Sequence, residues 1–343
     1  MARSQHLKIL KQGVSVWNAW RAENPSETPD FLKSNLGGLN LTGANLGRVD
    51  LREANLGDTN LENATLSDAK LQKTNFEYAH LKGADFTGAD LSGALLMEAE
   101  FSGAALRSTN LSSTDLQCAS FIGANLAEAN LADANLLEAN LERADLSGAI
   151  LDNAILERAN LSAANLTDAT FEGANLIGTD FSGAMLTHAR LEGLDLTGAT
   201  FSNATLAHAN LTGANLSETV FTKANLEGAH LRETILFNAD LYKSNLMHAI
   251  LTLANLRQAD LRKSDLRGAA IGRVLLEDTI FVGAIFLPTT KLVKLSDVQR
   301  SDLLILDTHG KRYDMNTTHD EDGHPIPYEE TNGESNWKEI AKD

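Results

Sequence analysis

The most constraining feature of this chain is a hydrophobic residue that returns at every fifth position. Leu, Phe or Ile occupies each of these positions from Phe31 to Phe286 without an exception. The residue two places earlier is usually Ala, and the residue between the two is mostly Asn or Asp, as in Ala44-Asn45-Leu46 and Ala134-Asn135-Leu136. Such an internal repeat decides the architecture, so it is interpreted before any local motif.

A period of five residues fits neither an α-helix, which has about 3.6 residues per turn, nor a flat strand, which alternates. One long helix would spread the leucines around its circumference, and Gly, Asn, Asp and Thr are too frequent for it. All five prolines and all three tryptophans lie outside residues 31–286. The pattern therefore predicts short extended segments joined by turns. The central Leu and the small residue point inward, and the other three positions face solvent.

A second period of 20 residues is visible in the phenylalanines. Six of the Phe residues at central positions fall in one class when positions are sorted by 20: Phe101, Phe121, Phe181, Phe201, Phe221 and Phe281. This spacing indicates four pentapeptides per turn, with residue n beside residue n + 20. The Ala-(Asp/Asn)-Leu-x-x pattern resembles the pentapeptide-repeat family. That resemblance implies an all-β solenoid, a right-handed quadrilateral β-helix, with about 13 coils over residues 31–286.

Both ends of such a solenoid need covering, because they would otherwise expose apolar surface and unpaired backbone. We expect residues 1–30 to form an N-terminal cap, with one amphipathic helix over residues 5–23. Its apolar face carries Leu7, Leu10, Val14 and Trp17. A helix that binds a partner is the alternative. Residues 287–315 are expected to cap the last coil, and the polar tail, residues 316–343, to be mobile.

The net charge of −17 comes from 29 basic and 46 acidic residues, and it is unevenly distributed. Residues 31–84 carry six of each sign, residues 85–240 carry six basic and 21 acidic residues, and residues 241–286 carry six basic and four acidic. This acidic middle argues against direct binding to nucleic-acid phosphates or anionic membranes. Asp152, Glu172 and Glu192 stand 20 residues apart within it. They are candidates for an interaction surface, and a purely solubilising role is the alternative.

No catalytic chemistry is indicated by sequence motifs. The chain lacks a phosphate loop, a dinucleotide fingerprint and a nucleophile elbow, so we expect no enzyme activity and no cofactor. The single cysteine, Cys118, excludes an internal disulfide. A signal peptide and a membrane-spanning apolar segment are not recognisable, and a cytoplasmic protein is expected.

Two sets of residues have metal-ligand chemistry, although a structural explanation is preferred for both. Asp168, His188 and His208 stand 20 residues apart at outward positions, where a surface row is the simpler interpretation. Asp320, Asp322 and Glu329 have the spacing of a calcium loop, but the first ligand is replaced by Thr318, and two prolines interrupt the loop. An acidic tail explains the second set equally well. We therefore predict no metal site.

Four large side chains occupy outward positions near the end of the repeat: Phe237, Tyr242, Met247 and Leu253. Cover by the C-terminal segment, a contact in a homodimer and simple exposure all remain open. The sequence is thus consistent with either a monomer or a homodimer.

These patterns predict a non-catalytic structural or protein-interaction rod with an unidentified protein partner. The family resemblance implies one alternative, since some pentapeptide-repeat proteins mimic duplex DNA and bind the topoisomerase gyrase. The acidic middle fits that alternative. The long C-terminal segment does not, because those proteins are typically dimers joined at their C-terminal coils.

Overall fold

The computed structural model describes residues 3–286 and three short strands, Leu304–Leu306, Arg312–Asp314 and Glu339–Ile340. The rest of the predicted C-terminal cap and tail lies outside the described residues. The chain forms two compact units, Met1–Asp180 and Phe181–Asp343.

The first unit is built from parallel β-bridges that join each residue n to residue n + 20. The bridges begin with Asp30 and Asp50 and end with Asn160 and Asp180. A bridge is held by two backbone hydrogen bonds, in which Leu36 N donates to Asn55 O (2.8 Å) and Asn55 N donates to Ser34 O (2.9 Å). Bridges recur every five residues, so four short segments make one coil and successive coils pair in parallel. The predicted 20-residue period is confirmed.

Each pentapeptide ends in a tight turn. The N–H of the small residue donates to the carbonyl of the central residue, as Ala44 N does to Leu41 O (2.9 Å). The third residue of every turn has a positive φ, and residues as different as Tyr78 (φ 60°) and Leu253 (φ 66°) adopt it. A positive φ at the third residue alone is typical of a type II turn. The backbone therefore repeats faithfully while the side chain at this outward position varies.

The interior is a stack of apolar side chains. Every central residue from Phe31 to Phe281 is buried. In the first unit the rings of Phe101 and Phe121 stack with their centroids 4.8 Å apart and their planes 6° apart. Full burial of each Leu or Phe stabilises the fold by about 1.5–3 kcal/mol. Where Thr replaces Ala, its hydroxyl is satisfied by backbone, as in the bond from Thr109 Oγ1 to Phe86 O (2.9 Å).

The second unit repeats this construction from the bridge Met185–Thr205 to the bridge Asp265–Ile285. The rings of Phe201 stack on those of Phe181 and Phe221 at 4.9 Å in each case. At its end, strand β1 (Ile285–Phe286) pairs in parallel with β2 (Leu304–Leu306). Strand β2 then pairs antiparallel with β3 (Arg312–Asp314), and β3 pairs antiparallel with β4 (Glu339–Ile340).

Two helices precede the repeat, where the sequence predicts one helix over residues 5–23. Helix α1 spans Arg3–Leu10 and helix α2 spans Val14–Glu23. The break lies at Gly13, whose φ of 113° is incompatible with an α-helix and is readily adopted only by glycine. Neither helix of the described residues is long and apolar enough to cross a membrane.

Side chains of α2 take the place of a missing coil on one side of the first one. Trp17 Nε1 donates to Asn45 O, Asn18 Oδ1 accepts from Asn45 N, and Arg21 Nη2 donates to Gly47 O, each at 2.8 Å. One coil further on, the same backbone positions are satisfied by backbone, because Leu46 N donates to Thr65 O and Thr65 N donates to Ala44 O. The helix thus supplies donors and an acceptor that the repeat itself cannot provide at its start.

An aromatic cluster fills the space between the helices and the first central residue. The ring of Trp17 lies 5.5 Å from Phe31 and 5.1 Å from Trp20, and His6 lies 5.3 Å from Trp20. The buried His6 accepts a hydrogen bond from Asp30 N at Nδ1 (3.3 Å). Burial lowers the pKa of His6, so its ring is neutral at neutral pH and can act as this acceptor.

Candidate interaction surfaces

Three of every five residues face solvent, and they line up in columns. A column is a set of outward residues spaced by 20, whose members lie on neighbouring strands about 4.8 Å apart. The sequence of one column is independent of the interior, so the columns determine the surface chemistry of each unit.

The acidic candidates Asp152 and Glu172 are neighbours in one column of the first unit. Glu172 N donates to Asp152 Oδ1 (3.0 Å), so the half-buried Asp152 is held by backbone while Glu172 is exposed. Glu192 belongs to the second unit, where its Oε1 accepts from Asn210 Nδ2 (2.7 Å) and lies 3.7 Å from Arg190 Nε. Glu192 is therefore partly neutralised, whereas Asp152 and Glu172 have no basic partner within ion-pair distance among the described residues.

The acidic excess is concentrated in residues 85–180 of the first unit. Three basic residues stand against 15 acidic residues there, a net charge of −12. All three arginines are already engaged with glutamates: Arg107 with Glu128 (2.5 Å), Arg143 with Glu142 (3.2 Å) and Arg158 with Glu138 (3.6 Å). Most carboxylates of this segment therefore have no cation beside them.

The histidine candidates form a short stack and not a ligand cluster. In the second unit the rings of His188 and His208 lie 5.4 Å apart, almost parallel. A Cβ at Gly228 would lie 2.5 Å from His208 Nδ1, so the imidazole occupies the space over that glycine. Asp168 belongs to the first unit. No group of three or more His, Cys, Asp or Glu in the described part of the chain is arranged to hold a metal ion.

The proposed calcium ligands Asp320, Asp322 and Glu329 lie outside the described residues. The four large outward side chains near the end of the repeat are separated, because they belong to four different columns. Phe237 and Leu253 are exposed, at 37% and 39% of their full surface. Tyr242 and Met247 are half-buried, and Arg267 Nη2 contacts Met247 Sδ at 3.6 Å.

Two exposed apolar residues escaped the sequence-based prediction. Leu95 and Ile155 occupy the position usually held by Asn or Asp, in one column of the first unit, and are 43% and 42% exposed. Met97 and Leu137 occupy a neighbouring column on the same side. Sorting the Asn/Asp position by 20 would have found them, but the pentapeptide pattern alone treats this position as polar.

A shallow polar depression of about 520 Å³ lies on the first coils of the first unit. It exists because Gly37 and Gly57 leave one column without side chains, and Tyr78 borders it. The amide of Asn55 donates to Asn35 Oδ1 (3.1 Å), so the floor of the depression is an amide ladder that partly satisfies itself. It is open to solvent and does not bring a nucleophile and a base together.

Comparison with known families gives one description for most of the repeat. The family described as pentapeptide repeats matches the chain in eight copies, over residues 30–68, 66–103, 94–131, 124–162, 164–203, 201–236 and 234–269. None of the curated proteins compared with the chain matches it.

Solved structures with the same repeat are similar to parts of the chain. A pentapeptide-repeat protein of the Arabidopsis thaliana thylakoid lumen is 32% identical, with 32% of this chain and 74% of that chain covered and a TM-score of 0.29. HetL, involved in the regulation of heterocyst differentiation in the cyanobacterium Nostoc, is 31% identical, with coverages of 80% and 98% and a TM-score of 0.21. QnrB1, a plasmid-mediated fluoroquinolone resistance protein, is 20% identical, with coverages of 57% and 89% and a TM-score of 0.32.

Proposed function

The chain belongs to the pentapeptide-repeat family, and from this premise we propose that it is a non-catalytic scaffold whose outward columns bind a protein partner. The observation that carries the proposal is the separation of interior from surface. Every described central residue is buried, while outward turn positions accept residues as different as Tyr78 and Leu253 at the same backbone conformation. Surface chemistry can therefore be adapted to a partner without altering the fold.

The acidic segment, residues 85–180, is the surface that we assign to this partner. Its net charge of −12 lies on coils whose few arginines are already paired. Such a surface attracts a basic protein surface from a distance and raises its rate of association. We propose that Asp152 and Glu172 belong to the contact and that Glu192 contributes from the second unit.

Reversal of these three charges is expected to abolish partner binding without unfolding the protein. The triple variant Asp152→Lys, Glu172→Lys, Glu192→Lys changes only outward positions, where substitutions typically alter stability by less than about 0.5 kcal/mol each. We expect unchanged melting and loss of the partner captured from an extract of the native host. The matched control reverses three acidic residues of the charge-balanced segment, residues 31–84: Asp58, Glu62 and Asp68. Equal capture by the triple variant and the wild type would refute the assignment.

A second candidate function is mimicry of duplex DNA toward gyrase, and the concentration of negative charge in residues 85–180 favours it. The same variants distinguish it from the first. A DNA mimic inhibits supercoiling by gyrase at micromolar protein, and the triple variant does not. Absence of inhibition by the wild type removes this candidate and leaves the general scaffold in place. The cytoplasmic location stays a prediction, as does the choice between monomer and homodimer.

A further inference from the structure

Three basic side chains converge on Tyr242 in the second unit. Lys243 Nζ lies 5.1 Å from the centroid of the tyrosine ring, Lys263 Nζ lies 6.0 Å from it, and the guanidinium carbon of Arg262 lies 5.8 Å from it. Burial by itself raises the pKa of Tyr242, but hydrogen bonds and charge from Lys243 and Lys263 outweigh it, so the pKa is lowered. The phenol therefore lies in a strongly positive local field.

Only part of this positive charge is neutralised. Arg262 is paired with Asp260, with Nη2 2.5 Å and Nε 2.8 Å from Oδ2. Asp240 is engaged on both oxygens, because it accepts from Tyr242 N (2.9 Å) and from the hydroxyl of Thr222 (2.8 Å).

The lysines beside this network share one column: Lys223, Lys243 and Lys263. All three are exposed, and within the described part of the chain none has a carboxylate oxygen within 4.0 Å of its ammonium group. Like charges on neighbouring strands destabilise a sheet, so the column carries a cost that a bound anion would relieve.

The next member of this lysine column leaves room beside the cluster. Gly283 follows Lys263 and has a φ of 72°. A Cβ at Gly283 would lie 3.4 Å from Cγ of Lys263, so the lysine stem extends over the bare backbone of the glycine. The ammonium groups are thus carried on stems that can close around a small ligand at the surface.

We propose that Lys223, Lys243 and Lys263, together with Tyr242 and Arg262, form a binding site for a compact phosphate group, a phosphate monoester or a diphosphate, on a small molecule. Ammonium groups and the tyrosine hydroxyl donate hydrogen bonds to phosphate oxygens, and charge-assisted bonds of this kind are the strong ones. A compact ligand fits better than a nucleic acid, because the protein carries a net charge of −17 that repels an extended polyanion. At physiological salt charges beyond about 8 Å are screened, so a small dianion responds mainly to the nearby lysines.

The test is calorimetric titration of the full chain with inorganic diphosphate at constant ionic strength. We expect saturable binding to the wild type and a loss of affinity of about tenfold or more in the double variant Lys243→Ala, Lys263→Ala. The matched control is Lys73→Ala, because Lys73 occupies the same turn position with a φ of 57° in the first unit and has no such cluster. Its affinity should equal that of the wild type.

A second readout follows Tyr242 directly. Bound diphosphate compensates the neighbouring cations, so the pKa of the phenol should rise on binding, and the variant Tyr242→Phe should lack this spectroscopic change. No saturable binding at millimolar diphosphate, or equal loss in Lys73→Ala and in the double variant, would overturn the proposal. Equally tight binding of sulfate, or tighter binding of single-stranded DNA, would do so too. The cluster lies outside residues 85–180, so failure of this test leaves the scaffold proposal intact.

Discussion

Replacement of Leu141 by Asp is expected to unfold the surrounding coils of the first unit. Leu141 has no exposed surface and lies in the continuous apolar interior. Truncation of a buried Leu alone costs about 2–5 kcal/mol, and an unpaired buried carboxylate adds several more. This exceeds what a local rearrangement can offset, because a carboxylate at this central position has no polar group to reach.

The damage should be local, because each coil contacts only its neighbours. Hydrogen exchange read by mass spectrometry should show lost protection at Leu141 N, which donates to Asn160 O (2.7 Å), and at Phe121 N, which donates to Asn140 O (2.6 Å). Amides of residues 31–60 should keep their protection.

The control for this prediction is Asn140→Asp, one residue away and outward. The side-chain oxygen of Asn140 accepts from Glu142 N (3.1 Å) and Asn160 Nδ2 (3.2 Å), and a carboxylate can accept both bonds. This variant should exchange like the wild type. Wild-type protection in Leu141→Asp, or the same loss in both variants, would contradict a stability carried by the buried stack.

The second large effect is expected for Trp17→Ala in helix α2. Trp17 is fully buried, packs on Phe31, and donates to Asn45 O. Truncation of a buried Trp costs about 3–5 kcal/mol. The carbonyl of Asn45 also loses its donor, so the first coil should lose hydrogen-exchange protection and its melting should separate from that of later coils.

The control for the helix is Val16→Ala, at the adjacent position and 41% exposed. An exposed truncation of this kind should change stability by less than about 0.5 kcal/mol. Equal effects of the two variants would mean that the contacts of Trp17 do not stabilise the first coil, and α2 would then be free to serve as a partner-binding helix.

The repeat made most of the fold predictable, because one residue type at one spacing decides both burial and pairing. The stack of Phe101 on Phe121 follows directly from their 20-residue separation. The helix break at Gly13 was missed, because the apolar spacing of Leu10, Val14 and Trp17 continues across it. Trp17 and its acceptor Asn45 are 28 residues apart in sequence, so no local pattern indicates their hydrogen bond.

The surface was less predictable, since hydrophobicity was the property by which outward residues were grouped. Tyr242 was placed with Phe237 and Leu253 as an apolar cluster, but the structure surrounds it with cations. Its basic neighbours, including Lys243 and Lys263, could have been found by sorting charges by 20. The orientation of their ammonium groups toward one ring depends on tertiary packing and could not.

The central claim is that outward residues spaced by 20 are neighbours and form the surface columns, and paired cysteines test it most directly. Ser113 N donates to Ala132 O (2.9 Å), which places Ser112 beside Ala132 on adjacent strands. Disulfides need Cα atoms about 4.4–6.8 Å apart, and neighbouring strands meet this requirement. In a Cys118→Ser background, the pair Ser112→Cys, Ala132→Cys should therefore form a disulfide on mild oxidation. The pair Gln117→Cys, Ala132→Cys, spaced by 15, should remain reduced. Oxidation of the second pair in preference to the first would contradict the four-sided coil and, with it, every column on which the functional proposals rest.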